Sequence, residues 1–204
     1  MKRSILCMFR LGVLAALPAM GVLSISTSRA NIFMFSAFLN GPSDGTPSPG
    51  TGFSEVDFDT VLNTMHVHVD FSGLLAPTTA SHIHAATTLP GTGTAGVATT
   101  VPYFAGFPIG VTSGTYDNTL DMTLASSYNP AYVTANGGTT ASAEAALFGS
   151  IEAGTAYVNI HSTAYPGGEI RGFLTPAPEP GTWAVMALGA AFPVILRFRN
   201  KLRR

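Results

Sequence analysis

The chain has 204 residues, with 10 lysines and arginines against 11 carboxylates and a formal net charge of −1. That balance is misleading, because four of the cations lie within the first 30 residues and five lie after residue 196. Between residues 31 and 178, Arg171 stands against ten carboxylates, so this segment carries −9 (one minus ten) with neutral histidines. Such an acidic segment excludes nucleic-acid binding through phosphate electrostatics and favours contact with cations. The single cysteine, Cys7, excludes disulfides within the chain.

Residues 1–30 have the three parts of a secretory signal peptide. Lys2 and Arg3 form a basic start, residues 11–25 are an apolar run, and Ser28 and Ala30 are small residues at the expected positions. We therefore expect an N-terminal signal helix that is cleaved after Ala30. The alternative is an uncleaved membrane anchor.

Residues 31–175 have the pattern of an all-β domain, rich in Gly, Pro, Ser and Thr. Residues 64–71 alternate strictly between apolar and polar, which is typical of a half-buried strand. Residues 128–133 are a strand or an irregular segment, and residues 141–154 are the one helix predicted within the domain. Short strands at this spacing predict an immunoglobulin-like antiparallel β-sandwich. The predicted strands are 31–39, 53–58, 64–71, 82–84, 97–104, 115–123, 155–161 and 168–175.

The C-terminal segment has the composition of a membrane helix. Residues 176–182 are a Pro-rich linker, residues 183–196 are uncharged, and five cations follow. A spanning helix needs about 20 apolar residues, so Trp183 and the arginines must extend the reach of this transmembrane helix. The cations should stay in the cytoplasm, which places residues 31–175 outside it.

Pro178, Glu179 and Pro180, followed by the apolar helix and the basic tail of residues 183–204, resemble the PEP-CTERM sorting signal of Gram-negative bacteria. The resemblance implies recognition by an exosortase-type membrane peptidase, which removes the tail. It implies a transient anchor in the inner membrane and a final place in the periplasm, at the outer surface or in the extracellular matrix. Exopolysaccharide is an expected partner in that setting. The alternative is a plain C-terminal anchor.

Two long motifs resemble the chordin-type domain, CHRD. They are SHIHAATTLPGTGTAG, residues 81–96, and AYVNIHSTAYPGGEIRGFLT, residues 156–175. The resemblance covers residues 31–175 and implies an extracellular β-sandwich that acts as a binding or structural module. It implies no particular reaction.

The order of these elements is also distantly similar to that of copper–zinc superoxide dismutases. This similarity implies a superoxide-dismutase-like sandwich in which His82, His84 and His161 match copper ligands. Arg171 would then match the cation that attracts a small anion. The zinc-binding loop, the bridging histidine and the disulfide cysteines of those enzymes find no match in the sequence.

The strand pattern independently allows His82, His84 and His161 to meet. Residues i and i+2 of a strand project to one face, and His161 has the same parity in its own strand. Imidazoles suit copper and zinc, and copper binds most tightly among the divalent first-row ions. The alternatives are a polar network, with imidazoles bonded to the backbone and to carboxylates such as Glu169, or no joint role.

Other charged and polar residues leave further alternatives. His66 and His68 share the polar face of their strand with Asp70, as a solvated surface, a surface metal site or a pH-sensitive contact. Arg171 either pairs with Glu169 or another carboxylate, or attracts anions near a metal.

No catalytic residue is predicted, because the sequence has no supported Ser-His-Asp arrangement, phosphate-binding loop or cysteine chemistry. Two hypotheses follow: a non-enzymatic envelope or matrix module, and a copper-binding protein with redox activity.

Overall fold

The computed structural model describes residues 31–177. The predicted signal peptide with its cleavage site at Ala30, the sorting motif at residues 178–180 and the C-terminal apolar helix lie outside the described residues. Within residues 31–177, no helix is both long enough and apolar enough to cross a membrane.

Eight strands and three short helices form the described part of the chain. A short 3-10 helix, Ala125–Ser127, lies between β5 and α2. The elements in chain order are β1 (Ile32–Asn40), α1 (Gly41–Asp44), β2 (Thr51–Asp59), β3 (Thr64–Ser72), β4 (Thr78–His84), β5 (Gly114–Asp121), α2 (Pro130–Ala135), α3 (Thr140–Glu152), β6 (Tyr157–Ser162), β7 (Ile170–Phe173) and β8 (Thr175–Pro176).

The strands form one sheet in the order β4-β6-β7-β1-β2-β3-β5, and β8 pairs with β1. Every pair is antiparallel. The sheet curls into a half-barrel, so its apolar face encloses the core. The prediction of an all-β antiparallel sandwich is therefore confirmed, with the two sides of the core formed by a continuous sheet.

Alternation along the strands decides which side chains enter this core. In β3, Met65, Val67 and Val69 are fully buried, as the sequence predicts, while His66 and His68 face outward. The predicted helix is also confirmed: α3 begins after a capping box formed by Thr139 and Ser142. Leu147 and Ile151 of α3 are fully buried in the core cluster, so the helix helps to fill the half-barrel.

The prediction of a strand at residues 97–104 is wrong. This segment is an irregular loop, and its β-type pairing is limited to isolated bridges at Val97 and Thr99. The amides of Ala98 and Thr99 both donate to the carbonyl of Ile83, which breaks the ladder that a strand needs. Pro102 further removes an amide donor.

Two other segments differ from the sequence prediction. Residues 128–133 contain the start of a helix, α2, because Asn129 caps it by accepting from the amide of Ala131 at 3.0 Å and Pro130 occupies its first turn. The predicted last strand, 168–175, is divided into β7 and β8 on either side of Leu174. Gly172 lies where β7 approaches β1 so closely that a Cβ would collide with the carbonyl oxygen of Phe38.

Candidate metal centre

The strand β6 has a buried side chain at each of its positions, so both of its faces are covered. Val158 and Ile160 point into the hydrophobic core. His161 has the opposite parity and lies on the other face, as the sequence predicts. The neighbouring strand β4 follows the same rule, because Ile83 is in the core between His82 and His84.

Three imidazoles meet on the face of β4 and β6 that points away from the core. We call His82, His84 and His161 the histidine tripod. One ligating nitrogen from each ring lies within 4.8 Å of those from the other two. The three residues are only 6%, 8% and 8% exposed, because the loops 85–104 and 163–168 cover them.

Three backbone carbonyls determine which nitrogen of each ring carries the proton. The Nε2 of His82 lies 2.7 Å from the carbonyl oxygen of Pro102. The Nδ1 of His84 lies 2.9 Å from that of Ala95, and the Nδ1 of His161 lies 2.9 Å from that of Pro166. A carbonyl oxygen can only accept, so each of these nitrogens must be the N–H donor of its ring.

The other nitrogen of each ring therefore has a free lone pair, and these lone pairs face one another. The Nδ1 of His82 lies 3.3 Å from the Nε2 of His161. The Nε2 of His84 is buried and has no hydrogen-bond partner among the described residues. Within residues 31–177 no donor satisfies these three acceptors. An unsatisfied buried acceptor is costly.

Burial keeps the rings neutral. It lowers the pKa of His82 and of His84 to about 4, even though the carbonyl contacts of Pro102 and Ala95 act in the opposite direction. Burial also lowers the pKa of His161. At neutral pH all three lone pairs are consequently available to a ligand, and no proton has to be displaced first.

One pair of inner nitrogens already has the spacing of metal ligands, and the third residue offers a nitrogen within 4.8 Å of both. Two imidazoles that bind one tetrahedral ion at about 2.0–2.1 Å place their nitrogens about 3.3–3.4 Å apart, which matches His82 and His161. A carbonyl accepting from the outer N–H is also the usual partner of a metal-binding histidine. The polar-network alternative is correct for the outer nitrogens, but it supplies no donor for the inner ones.

All three tripod histidines lie within a match to one family model. The model for the CHRD domain matches residues 35–174, which is more than half of the chain. The chain belongs to the CHRD family. No curated protein and no solved structure matches it. The PEP-CTERM signal and the similarity to superoxide dismutases remain predictions.

Arg171 of the CHRD domain is held by several groups beside the tripod. Its Nε contacts the carbonyl oxygen of Ser43 and lies 3.4 Å from Oδ1 of Asp44, and its Nη1 donates to the carbonyl of Gly93 at 3.0 Å. The guanidinium also lies 5.0 Å from the centroid of the Tyr157 ring. Arg171 thus has a carboxylate partner, as one sequence alternative predicts, but the partner is Asp44.

Tyr157 connects this cation to the tripod. Its ring stacks on the ring of His84, with centroids 4.8 Å apart and planes inclined by 6°. Its hydroxyl accepts from the amide of Ala95, whose carbonyl fixes the tautomer of His84. Tyr157 therefore holds both the ring of His84 and the loop that orients it.

Glu169 does not take the role expected of it. Its Oε1 accepts from the hydroxyl of Ser48 and from the amide of Leu75, both at 2.6 Å. These contacts anchor the segments before β2 and after β3, so the carboxylate of Glu169 bonds to Ser48 and Leu75 and not to Arg171 or a tripod histidine.

Sequence reasoning missed Asp44 as a site residue. Its carboxylate is buried beside Arg171 and Asn159, and burial raises its pKa while Arg171 opposes the shift. Gly168, at φ 131°, provides the space for this carboxylate, because a Cβ at that position would collide with both Asp44 and Asn159. The PGG sequence of residues 166–168 was a usable signal for such a close approach.

The second histidine pair lies on β3, near the opposite edge of the sheet from the tripod strands β4 and β6. His66 and His68 contact Asp117 of β5 at 3.0 and 3.2 Å and are partly exposed. Hydrogen bonding to Asp70 raises the pKa of His68. This pair is separate from the tripod.

We predict that the metal-free protein loses stability as the pH falls from 6.5 towards 4. The unfolded histidines take up protons below their ordinary pKa of 6.5, whereas His82 and His84 stay neutral in the folded state until about pH 4. Each ring then lowers the free energy of unfolding by about 1.4 kcal/mol for every pH unit of acidification across that window. Urea unfolding after chelator treatment, at pH 7.0, 6.0 and 5.0, measures the loss.

His68→Gln is the matched control for this prediction. The folded-state pKa of His68 is raised, so its contribution is present at low pH and is lost as the pH rises. In His68→Gln, the loss of stability on acidification should therefore be as large as in the unmodified protein or larger. Constant stability between pH 7 and 5 in the unmodified protein would show that the tripod is not buried in its neutral form.

Proposed function

We propose that this CHRD domain is a binding and structural module that holds one transition-metal ion, copper, in the tripod of His82, His84 and His161. The observation that carries the proposal is the convergence of three buried lone pairs, for which residues 31–177 supply no donor once the outer nitrogens carry the protons. Membership of the CHRD family indicates a binding or structural module. The ion is what we propose that it binds.

The donor set favours copper. All three donors are neutral imidazoles held in a fixed orientation, and imidazole nitrogens bind copper more tightly than any other divalent first-row ion. The acidic domain, at −9, lowers the electrostatic cost of bringing a cation to a site without a carboxylate ligand. Zinc accepts the same donors and is the expected competitor.

The ion would have a structural effect beyond the tripod. Its ligands come from β4 and β6, and each ring is also bonded to a covering loop through the carbonyl of Pro102, Ala95 or Pro166. Binding energy at such a site adds to the free energy of folding. The ion would therefore stabilise the loops 85–104 and 163–168 on the sheet.

Copper at this site would supply one-electron redox chemistry, but the surroundings favour a binding role over superoxide-dismutase-like catalysis. The rings are more than nine-tenths buried. Arg171, the cation that would attract an anionic substrate, already contacts Asp44 and two backbone carbonyls. Its charge is thus compensated within the domain.

We further propose that the chain is exported and sorted. The basic and apolar residues 1–30 support export, and Pro178, Glu179 and Pro180 before the apolar and basic residues 183–204 support recognition by an exosortase-type peptidase. In this proposal the domain is held briefly in the inner membrane and then released to the envelope or matrix of a Gram-negative bacterium. Exopolysaccharide is the proposed partner there.

The copper proposal predicts one tightly bound copper ion per chain. In the full-length protein purified in mild detergent, His161→Ala should lower copper affinity by more than about 100-fold, because it removes one of three ligands. His66→Ala, which removes a partly exposed histidine on β3, is the control and should keep the tight ion. Elemental analysis gives the stoichiometry, and electron paramagnetic resonance counts the nitrogen ligands of Cu²⁺.

Equal copper content in the unmodified protein and in His161→Ala would contradict the tripod assignment. The superoxide assay of the copper-loaded protein separates the two candidate functions. The binding role predicts no dismutation above that of free copper, and copper-dependent turnover abolished by His161→Ala would favour the redox alternative.

The sorting proposal is tested in cells that contain an exosortase-type peptidase. Replacing Pro178, Glu179 and Pro180 with alanine should leave the chain uncut in the inner-membrane fraction, because the recognition motif is lost. Thr182→Ala, two residues beyond the motif, should be processed normally. Immunoblots of the fractions measure the size and place of the chain, and normal processing of the triple variant would reject the proposal.

A further inference from the structure

A second group of metal-binding side chains lies on the solvent-facing side of β2, β3 and β5. The pairing of these strands places His68 opposite Asp117 and His66 opposite Asp57. Asp70 follows on β3 with the same outward parity. We call these five residues the outer histidine cluster.

Asp117 lies between the two rings of the cluster. One of its carboxylate oxygens is 3.0 Å from Nε2 of His66, and the other is 3.2 Å from Nδ1 of His68. The remaining nitrogen of His68, Nε2, is 3.1 Å from Oδ2 of Asp70. Both nitrogens of His68 therefore face carboxylates.

A positive charge on this face, either a second proton on His68 or a bound metal ion, would satisfy both carboxylate contacts of His68. A neutral imidazole has a single N–H, so one nitrogen of His68 places its lone pair against an anionic oxygen. The cluster also contains three carboxylates, and Arg171 is the only lysine or arginine in residues 31–177. Arg171 pairs with Asp44 beside β7, and so it does not neutralise the outer histidine cluster.

We propose that His66, His68 and Asp117 form a second site for a divalent transition-metal ion such as zinc, independent of the tripod. Imidazole and carboxylate donors are ligands that zinc uses. The histidines are i and i+2 on one strand, so their rings can swing together over Asp117. Their side chains are 35% and 23% exposed, which leaves room for that movement and leaves further coordination positions to water or to another molecule.

The site differs from the tripod in a way that can be measured. The tripod is buried and its inner nitrogens are already gathered, whereas the outer site is exposed and must reorient its rings. We therefore expect the outer site to bind zinc more weakly and to exchange it faster. It should also survive substitutions in the tripod, because the two sites share no ligand.

Zinc titration of the full-length, chelator-treated protein in detergent tests this proposal. By isothermal titration calorimetry at pH 7.5, the unmodified chain should bind a tighter and a weaker zinc ion. His68→Gln and Asp117→Asn should each lower the weaker affinity by more than about tenfold. Thr119→Ala, on the exposed face of β5 opposite His66, should leave it unchanged.

The same titration of His161→Ala keeps the two proposals distinguishable. Loss of the tighter ion with retention of the weaker one supports both sites. A weaker ion whose affinity is the same in His68→Gln as in the unmodified protein overturns the outer site and leaves the tripod intact. The outer site is also overturned if His68→Gln and Thr119→Ala change the affinity of the weaker zinc ion equally. Movement of the His66 and His68 ring resonances on zinc addition gives a second readout that does not depend on a substitution.

Discussion

Three hydrogen bonds from imidazole rings to backbone carbonyls determine the chemistry of this domain. They place the protons of His82, His84 and His161 on the outside of the tripod and the lone pairs on the inside. Burial lowers the pKa values of the rings, so the repulsion between the facing lone pairs is not relieved by protonation at neutral pH. What remains is a pocket of acceptors that a bound metal cation would satisfy.

The strand β6 supports this arrangement because one of its faces packs in the hydrophobic core and the other carries polar side chains of the site. Val158 and Ile160 hold the strand in the core, and Asn159 and His161 use the opposite face. Arg171 of β7 extends that polar face and binds Asp44, which attaches α1 and the start of the β1–β2 connection beside the tripod. Moving β6 by one residue would exchange its core and polar sets, so the register of the sheet also fixes the histidine tripod.

Much of this could be predicted from alternation and parity. The apolar and polar faces of β3 follow from strict period-two alternation, and the shared parity of His82, His84 and His161 depends only on two strands being neighbours. The carbonyls that set the tautomers could not be predicted, because they are backbone atoms of irregular loops and have no side-chain signature. Asp44 was missed for a related reason: it lies far along the chain from β7, in a Pro- and Gly-rich connection that gives no register.

The errors have physical causes as well. Residues 97–104 have the composition of a strand, but Ala98 and Thr99 both bond to Ile83 and bring the loop over the tripod. Glu169 was expected beside the histidines, whereas Ser48 and the amide of Leu75 compete successfully for its carboxylate. In both places tertiary hydrogen bonds override a local pattern.

The protonation of the three rings can be measured directly. Nitrogen-15 NMR of the histidine side chains in the chelator-treated protein at pH 7 reports which ring nitrogen carries the proton. The geometry requires the Nε2–H form for His82 and the Nδ1–H form for His84 and His161. A proton on the inner nitrogen of any of the three, or a charged ring among them, would contradict the account.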